Sequence, residues 1–471
     1  MANTVTTTKD DNSPNSSNTN GVKTDPSNNH NRPLYQASTT HLIRYGGGGT
    51  FLPFLATRAS GVFVYTADGR RILDFTSGQM SCLIGHGHPE IVATIHEHAG
   101  TLDHLFSGML SPPVLELAGR LRDVLPSPGL EKMMFLSTGG ESNEAAIKMA
   151  KLYTGKYEVV ALGGSWHGMT DAARSVTYHK GRQGYGPMVP GTLYLPSPNA
   201  YRSPFRHPDG TYDWETELNY GWSIVDQQST GSLAAVILEP ILSSGGMLVL
   251  PPGYMAAMKR HCEQRGMLLI VDEAQTAIGR CGDMFAFQHE DNGVVPDILA
   301  LSKTLGNGIP LSAVVTSAEI EQRCAERGFL FYTTHVNDPL PAAVGAKVLE
   351  IVQRDGLVER SRRLGVRLHA RLREFQKKYP CIGDVRGRGL MAGVEIIADR
   401  KTRAQGTELG MKLADKMYEL GLSANLANMA SFGGVLRIAP PITITEEELD
   451  LGLGVIEKAF ESTPESFLEG K

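Results

Sequence analysis

A lysine and an aspartate each follow a strongly hydrophobic segment. Lys303 comes just after the apolar residues of PDILALSKTLGNG, and Asp272 ends the apolar run of MLLIVDEAQ. A buried strand end removes water from a charged group, which lowers the pKa of a lysine amine and makes it a better nucleophile. Pyridoxal phosphate uses such a pair, with the lysine bonded to the cofactor and the aspartate keeping its pyridine nitrogen protonated. These two residues alone fit a structural ion pair equally well.

A glycine pair precedes a helical pattern in FLSTGGESNEAAIKMA, residues 135–150. We expect the backbone N–H groups of Thr138, Gly139 and Gly140 to meet a helix N-terminus, whose partial positive charge favours an anion. The segment has neither a Walker lysine nor a GxGxxG pattern, which disfavours nucleoside triphosphates and dinucleotides. On its own the pattern is more often an ordinary helix cap. Beside Lys303 and Asp272 it favours a cofactor that carries phosphate.

Two further segments hold aromatic or imidazole side chains. GGSWHGMT places Trp166 and His167 on a glycine-flanked loop, where an indole could stack on a flat cofactor ring, although a core tryptophan is the better interpretation of this loop alone. GHGHPE, residues 85–90, has two histidines without a partner at ligand spacing. We interpret the histidines of GHGHPE as loop and helix-entry residues, with Pro89 in the first helical turn.

The composition is that of an ordinary globular chain. Its 471 residues are 41% hydrophobic and 20% charged, with a net charge of -5 that gives no basic footprint for nucleic acid or anionic lipid. No apolar run is long enough to cross a membrane. The five cysteines show neither metal-ligand spacing nor a disulfide pattern, so we expect a reducing compartment and a cytoplasmic location. Small-molecule chemistry is the favoured class of function.

The order of segments predicts four regions. Residues 1–40 are polar, which predicts a disordered tail without the features of a mitochondrial presequence. Residues 41–84 are expected to join the smaller domain, and VFVYTADGRRILDF, 62–75, predicts a hairpin. Residues 85–340 alternate strand-like and helical segments, which predicts an α/β domain with a mostly parallel sheet and functional residues at the strand ends. Residues 341–471 predict an α+β domain.

Two helical signals stand out in that last region. One helical pattern runs without a clear stop over residues 342–379. Another follows Thr445, and Glu448 completes the capping box expected at its start.

Together these segments resemble the class III aminotransferases, which belong to the fold-type I group of pyridoxal-phosphate enzymes. The resemblance runs from His41 to the C-terminus. Within the family it points to the branch that decarboxylates 2,2-dialkylglycines, on segments such as SGQM, HLFSGMLS, EPILSSGG, YTTHVNDPLP and LRIAPP. The resemblance implies a large domain with a mostly parallel seven-stranded sheet, a smaller α+β domain, and a homo-oligomer with active sites at the subunit interface.

The resemblance also implies a set of cofactor contacts. Lys303 would bond to pyridoxal phosphate and later transfer a proton, while Asp272 would hold the pyridine nitrogen. The other implied contacts are Trp166 on the ring, Gln275 beside the phenolic oxygen, and Gly139, Gly140 and Thr334 at the phosphate. Thr334 would come from the neighbouring subunit.

The implied reaction is the decarboxylation of substrates such as 2-aminoisobutyrate and isovaline to a ketone and carbon dioxide, followed by transfer of the amino group to pyruvate. Arg437 would bind a substrate carboxylate through two hydrogen bonds, a geometry that lysine cannot reproduce. Gln79 and Ser244 would hold the departing carboxylate. The alternatives are an amine or ω-amino acid transaminase that does not decarboxylate, an amino-acid racemase, and a catalytically silent subunit.

The resemblance further implies an alkali cation, potassium or sodium, beside the active site. Main-chain carbonyls, hydroxyls and one carboxylate suit such a weakly charged ion. The implied ligands are Leu105, Ser107, Thr334, Val336 and Asp338. The chain departs from the family pattern at the glycines 46–49, at an insertion near 290–292, and at 422–434, where a changed segment near Arg437 leaves side-chain specificity open.

Overall fold

The computed structural model describes residues 32–45, 51–52, 54–289, 293–429 and 433–462. Residues 1–31 of the predicted tail, the glycines 46–49 and the insertion at 290–292 lie outside the described residues. The end of the predicted tail is corrected, because Arg32–His41 form helix α1. This segment contains the apolar Leu34, and Pro33 stands in the first helical turn, where no N–H donor is needed.

Eighteen strands are numbered in chain order. They are β1 (Ala56–Ser60), β2 (Phe63–Thr66), β3 (Arg71–Asp74), β4 (Lys132–Leu136), β5 (Glu158–Leu162), β6 (Thr192–Leu195), β7 (Leu233–Leu238), β8 (Ile241–Leu242), β9 (Leu248–Val249), β10 (Leu268–Asp272), β11 (Ile298–Leu301), β12 (Ser312–Thr316), β13 (Ile382–Arg388), β14 (Met391–Asp399), β15 (Ala404–Gln405), β16 (Leu422–Ser423), β17 (Asn425–Met429) and β18 (Gly433–Ile438).

The α-helices that follow α1 are α2 (Ser77–Met80), α3 (Pro89–Ala99), α4 (Pro112–Val124), α5 (Gly139–Thr154), α6 (Asp171–Ser175), α7 (His179–Arg182), α8 (Trp214–Gln228), α9 (Tyr254–Arg265), α10 (Ala318–Glu326), α11 (Pro339–Arg354), α12 (Leu357–Lys378), α13 (Thr407–Glu419) and α14 (Glu446–Glu461). Two 3-10 turns cover Ala286–His289 and Lys303–Gly306. Among the described residues no helix is long and apolar enough to cross a membrane.

The large sheet has seven strands in the order β4-β12-β11-β10-β7-β5-β6. All neighbours are parallel except β12, which runs antiparallel to both β11 and β4. The predicted α/β fold with a mostly parallel seven-stranded sheet is therefore confirmed. Every residue of β7, β10 and β11 is buried, which explains their continuous apolar sequences.

The register of this sheet brings the two predicted chemical groups to one edge. Asp272 is paired with Ala300, so β10 and β11 end at the same level. Lys303 lies just beyond the end of β11. Parallel strands thus present the carboxylate and the amine at their carboxyl ends, where ligands bind in open α/β sheets.

The remaining strands form smaller sheets. β13-β14-β18-β17 are antiparallel, with β15 on β14, and β16 pairs parallel with β3. The predicted hairpin at 62–75 is confirmed by the antiparallel pair β2 and β3. The helical pattern at 342–379 is two helices rather than one, because Gly356 adopts a left-handed φ of 61° between α11 and α12.

Two compact units account for the chain. Residues 58–65 and 71–471 form one of them. Residues 1–57 with 66–70 form the other, and it contains α1 and a turn in which Asp68 accepts hydrogen bonds from Thr66 and Arg70. The predicted domain boundaries at 84 and 340 stay predictions.

Candidate active site

Lys303 lines a cavity of about 310 Å³. Burial lowers the pKa of its amine, and the carboxylates of Asp272 and Glu239 oppose that shift. Its backbone has a φ of 30°, an uncommon conformation for a residue with a side chain and typical of functional sites. Seven of the predicted site residues line this cavity together: Gln79, Thr138, Gly139, Gly140, Trp166, Asp272 and Lys303.

Asp272 is fixed by a network of hydrogen bonds. Its Oδ2 accepts from Asn143 Nδ2 at 2.7 Å and from His167 Nδ1 at 2.8 Å, and its Oδ1 accepts from the Ala274 N–H at 3.0 Å. Asn143 also donates to the carbonyl of His167 at 2.8 Å. His167 was expected on the loop without a role and Asn143 was not predicted, because the contacts of both residues with Asp272 form only in the folded chain.

The N-terminus of α5 faces the cavity with free backbone donors. The first N–H groups of a helix have no acceptor within it, so those of Gly139 and Gly140 are available for an anion. The Thr138 N–H donates to Glu141 Oε2 at 2.9 Å in a capping box, and the contact of Thr138 with a cofactor stays a prediction. Ser302, which the sequence did not reveal, lines the cavity, and its buried Oγ has no hydrogen-bond partner among the described residues.

Gly139 is required by close packing against that serine. A Cβ at Gly139 would stand 2.8 Å from Ser302 Oγ, so a larger residue would move the serine or close the space above the helix N-terminus. The glycine pair therefore keeps a site that an anion can enter.

Trp166 forms one wall of the cavity. Its ring is half-buried and lies 5.4 Å from the ring of Tyr178, with an interplanar angle of 44°. The Trp166 backbone N–H donates to Glu239 Oε1 at 2.8 Å. Glu239 is buried, and burial raises its pKa to about 7.

Arg437 lies on β18 directly opposite Asn425 of β17. Its Nε and Nη2 both donate to Asn425 Oδ1, at 3.0 and 2.6 Å, and its Nη1 donates to Ser243 Oγ at 3.4 Å. Burial lowers the pKa of Arg437 to about 10, so the guanidinium stays charged at neutral pH. A carboxylate could bind to it only beside Asn425 or in its place.

Ser243 makes side-chain contacts in this region, while the role of Ser244 stays a prediction. Ser243 Oγ accepts from Arg437 Nη1 and donates to Gln275 Oε1 at 2.8 Å. Ser244 is half-buried, and Gln275 is buried against Ser243 instead of lining the cavity. Neighbouring residues of a turn point in different directions, which the sequence alone cannot resolve.

Gln79 is exposed at the cavity edge on a strained turn. Ser77 and Met80 both have positive φ, of 41° and 59°. Asp74 stabilises this turn, since its Oδ2 accepts from the Gly78 N–H at 2.6 Å. Arg280 also holds it, donating to Ser77 Oγ at 2.9 Å. The side chain of Gln79 is thus presented by a backbone that the core holds in place.

The predicted cation ligands lie outside this cavity. Thr334 is exposed, and its contact with a neighbouring subunit's cofactor stays a prediction. Ser107 Oγ donates to Tyr332 Oη at 2.8 Å. Leu105 and Val336 are half-buried and buried, respectively. The carboxylate of Asp338 is contacted on both oxygens by histidines that the predicted ligand set did not include.

The residues of the cavity fit pyridoxal phosphate. A desolvated amine, a carboxylate fixed by Asn143 and His167, an indole ring and an anion-binding helix N-terminus all face one space. The unpartnered Ser302 hydroxyl beside Gly139 adds a donor where a phosphate would lie. Such a set supplies an amine for the covalent bond, an acid at the ring nitrogen, a ring face and an anion site, which are the main contacts of this cofactor.

Comparisons with known proteins agree with this chemistry. The sequence profile of the family "Aminotransferase class-III" matches residues 46–460. An uncharacterized aminotransferase of Schizosaccharomyces pombe is 52% identical over 92% of this chain and 96% of its own length. A leucine/methionine racemase of Thermococcus litoralis is 34% identical over 88% of this chain and 92% of its own length.

Structural similarity leads to the same group. The crystal structure of an (S)-enantioselective omega-transaminase from Thermomicrobium roseum matches with a TM-score of 0.82 and 31% identity. The match covers 91% of this chain and 98% of that one. The family profile and the identity to curated relatives lead to one conclusion, namely that the chain belongs to the class III aminotransferases.

Proposed function

We propose that the protein is a pyridoxal-phosphate-dependent transaminase, which moves an amino group from an amine or amino acid to a 2-oxo acid. The observation that carries the proposal is the buried amine of Lys303 in one cavity with Asp272 and the N-terminus of α5. The relatives are aminotransferases and a racemase, which supports transamination better than the decarboxylation implied by the resemblance.

The bound cofactor would supply an electron-accepting ring. The amine of Lys303 would take a proton from the substrate α-carbon and later donate it to a different atom. It can accept that proton only when it is neutral, and burial lowers its pKa in the required direction. Asp272 would stabilise a positive charge at the ring nitrogen. Gly139 and Gly140 would hold the phosphate with their N–H groups.

Arg437 would position the substrate by its carboxylate. A guanidinium that keeps a full charge in a desolvated place binds an anion strongly. We propose pyruvate or a similar 2-oxo acid as the amino acceptor.

Decarboxylation of 2,2-dialkylglycines is a second candidate. The observation that favours it is Gln79, which a strained turn presents to the cavity that contains Lys303. A carboxamide there could hold a departing carboxylate out of the cofactor plane. The homo-oligomer and the potassium or sodium ion are further proposals that derive from the family resemblance, and the cytoplasmic location is one that derives from the cysteine pattern.

One assay separates the candidates. The purified enzyme would receive pyruvate with an amine, an ω-amino acid or 2-aminoisobutyrate, and alanine, acetone and carbon dioxide would be measured. A transaminase forms alanine from the first two donors without carbon dioxide. Equal amounts of acetone, carbon dioxide and alanine from 2-aminoisobutyrate would favour decarboxylation. Exchange of the α-hydrogen without any oxo product would indicate a racemase, and no reaction with any donor would contradict the proposal.

Gln79→Ala tests the second candidate directly. If Gln79 holds the departing carboxylate, the variant slows the decarboxylating half-reaction more than the half-reaction that converts pyruvate to alanine, when each is measured separately. Ser81→Ala is a matched control, because Ser81 also lines the cavity. An equal loss in both half-reactions would refute this role of Gln79.

A further inference from the structure

The side chain of Asn307 joins two segments that both border the cavity. One is 303–308, the loop of the reactive lysine, and the other is 77–86, the strained turn and the residues that follow it. Asn307 Oδ1 accepts a hydrogen bond from the Ile84 N–H at 2.9 Å, and its Nδ2 donates to the Gly85 carbonyl at 3.1 Å. We call these two hydrogen bonds the Asn307 link.

The Asn307 link lies inside the protein and away from the substrate space. Asn307, Ile84 and Gly85 are buried, and Asn307 does not line the cavity. Neither Ile84 nor Gly85 belongs to a helix or a strand that could satisfy its main-chain groups. A buried N–H or carbonyl without a partner costs free energy, so the side chain of Asn307 is the favoured partner of both.

The loop of the reactive lysine has an uncommon backbone at both ends. Asn307 has a φ of 43° and a ψ of 42°, a left-handed conformation that asparagine adopts more readily than most residues with a side chain. Lys303 starts the same 3-10 turn with a φ of 30°. Such conformations persist only where the surrounding structure fixes them. The Asn307 link provides a fixed point at one end of this turn.

Hydrogen bonds continue from the Asn307 link to the turn that presents Gln79. His86 follows Gly85 in the chain, and its Nε2 lies 2.9 Å from Asp74 Oδ2. The same carboxylate oxygen accepts from the Gly78 N–H at 2.6 Å. A continuous set of contacts therefore runs from the loop of the reactive lysine to the residue before Gln79.

We infer that Asn307 is a positioning residue, which fixes the amine of Lys303 relative to the turn that presents Gln79. The inference rests on the proposed function, since it concerns the step in which Lys303 moves a proton. Such a step requires the donor and the acceptor within hydrogen-bond reach, and a displacement of about 1 Å can lower the rate about a hundredfold. Asn307 would thus act on the reaction through Lys303 and not by touching the substrate.

Asn307→Gly tests the inference, because glycine adopts the left-handed conformation without strain and only the Asn307 link is lost. The cofactor-loaded enzyme would react in a single turnover with alanine and with α-deuterated alanine. The rate of pyruvate formation should fall at least about tenfold, with little change in the alanine concentration that gives half of the maximal rate. The slowed reaction should show an isotope effect at least as large as that of the wild type, since proton transfer is the step that loses its geometry.

Amide hydrogen exchange measures the Asn307 link without turnover. In Asn307→Gly the amides of both segments, 77–86 and 303–308, should exchange faster than in the wild type, with and without bound cofactor. Faster exchange in both segments together is expected only if the side chain of Asn307 holds them to each other.

Asn199→Ala is the matched control. Asn199 is also a buried asparagine whose Oδ1 accepts from two main-chain N–H groups, those of Tyr201 and Arg202 at 3.2 and 3.1 Å, and it does not line the cavity. This variant should lower the urea midpoint as Asn307→Gly does, while the single-turnover rate and the exchange of the two segments stay as in the wild type.

Three results would overturn the inference: unchanged exchange in Asn307→Gly, an unchanged single-turnover rate, or a slowed reaction without an isotope effect. Equal slowing in Asn199→Ala would do the same, because it would reduce the effect to general stability. A wild type that forms no pyruvate from alanine would instead contradict the proposed function, and amide exchange would then decide the inference by itself.

Discussion

Arg437 is held by a neutral side chain. Asn425 Oδ1 accepts from both Nε and Nη2, so the guanidinium is oriented without losing its net positive charge to a protein carboxylate. If Arg437 binds the substrate as proposed, a substrate carboxylate would meet a cation that is partly desolvated, where the attraction is stronger than in water. Asn425 would then be a positioning residue for Arg437.

Asn425→Asp should weaken binding of substrates that carry a carboxylate. The new carboxylate would pair with Arg437 and compete with the substrate, and a lost hydrogen bond to a charged group costs about 1.5–3 kcal/mol. We expect the KM of an amino acid substrate to rise roughly tenfold or more, with little change for an amine that lacks a carboxylate. Asn425→Ala is the control for loss of the amide alone. A similar rise for both kinds of substrate would contradict this role.

The sequence identified the strand-end residues better than their partners. Lys303 and Asp272 were predictable because a charged residue after a continuous apolar run is visible without any alignment. Asn143 and Asn425 were not, because their contacts depend on helix position and on the register of β17 with β18. The contact of Ser243 with Gln275 was not predicted either, since the direction of each side chain in a turn is a property of the backbone.

Two helices start with the same capping box but only one borders the cavity. In α5 the pair is Thr138 and Glu141, and in α14 it is Thr445 and Glu448, as the sequence predicted. Each threonine accepts a hydrogen bond from the backbone N–H of its glutamate, at 3.2 and 3.1 Å. Comparing the two helices distinguishes the effect of a cap on stability from its effect on cofactor binding.

Thr138→Ala and Thr445→Ala should lower the free energy of unfolding by a similar amount, about 1 kcal/mol each. Only Thr138→Ala should raise the dissociation constant of pyridoxal phosphate, because only that cap orders the N–H groups at the cavity. Urea unfolding and cofactor titration measure the two quantities. Equal cofactor affinity in the two variants would show that the N-terminus of α5 does not hold the phosphate.

The apolar runs of the sequence predicted strands better than the direction of each strand. Those before Asp272 and Lys303 contain β10 and β11, whereas the edge strand β6 was not identified. The apolar run of β12 gave no indication that it runs antiparallel, because strand direction follows from the connection and not from composition.

The free energy of unfolding depends on pH through the buried carboxyl group of Glu273. Glu273 is fully buried and accepts hydrogen bonds from the Ala286 and Phe287 N–H groups. Burial nevertheless raises its pKa from 4.5 to about 7. The folded chain keeps this proton over a range in which the unfolded chain has lost it. The resulting stabilisation is present at acidic pH and is lost as the pH rises towards 7.

In the wild type the free energy of unfolding should fall between about pH 5 and about pH 7. Glu273→Gln should make that fall smaller, by up to about 3 kcal/mol. Urea unfolding of wild type and variant at equal cofactor occupancy measures this difference. An unchanged pH dependence in the variant would rule out Glu273 as its source.

The predicted homo-oligomer can be tested by mixing inactive subunits. If Thr334 serves the cofactor of its neighbour, a mixed dimer of Lys303→Ala and Thr334→Ala chains contains one site with both native residues. Refolding the two variants together should then restore about half of the wild-type activity per mixed dimer, because one of its two sites is intact and the other lacks both residues. The absence of any recovery, with dimers present, would place Thr334 in its own subunit's site or in none.

The covalent attachment of the cofactor tests the whole account most directly. Borohydride reduction of the purified enzyme followed by peptide mapping should locate a phosphopyridoxyl group on Lys303, and Lys303→Ala should bind the cofactor only non-covalently. An adduct on another lysine, or no adduct in a protein that retains its fold, would contradict the assignment of this cavity as the active site.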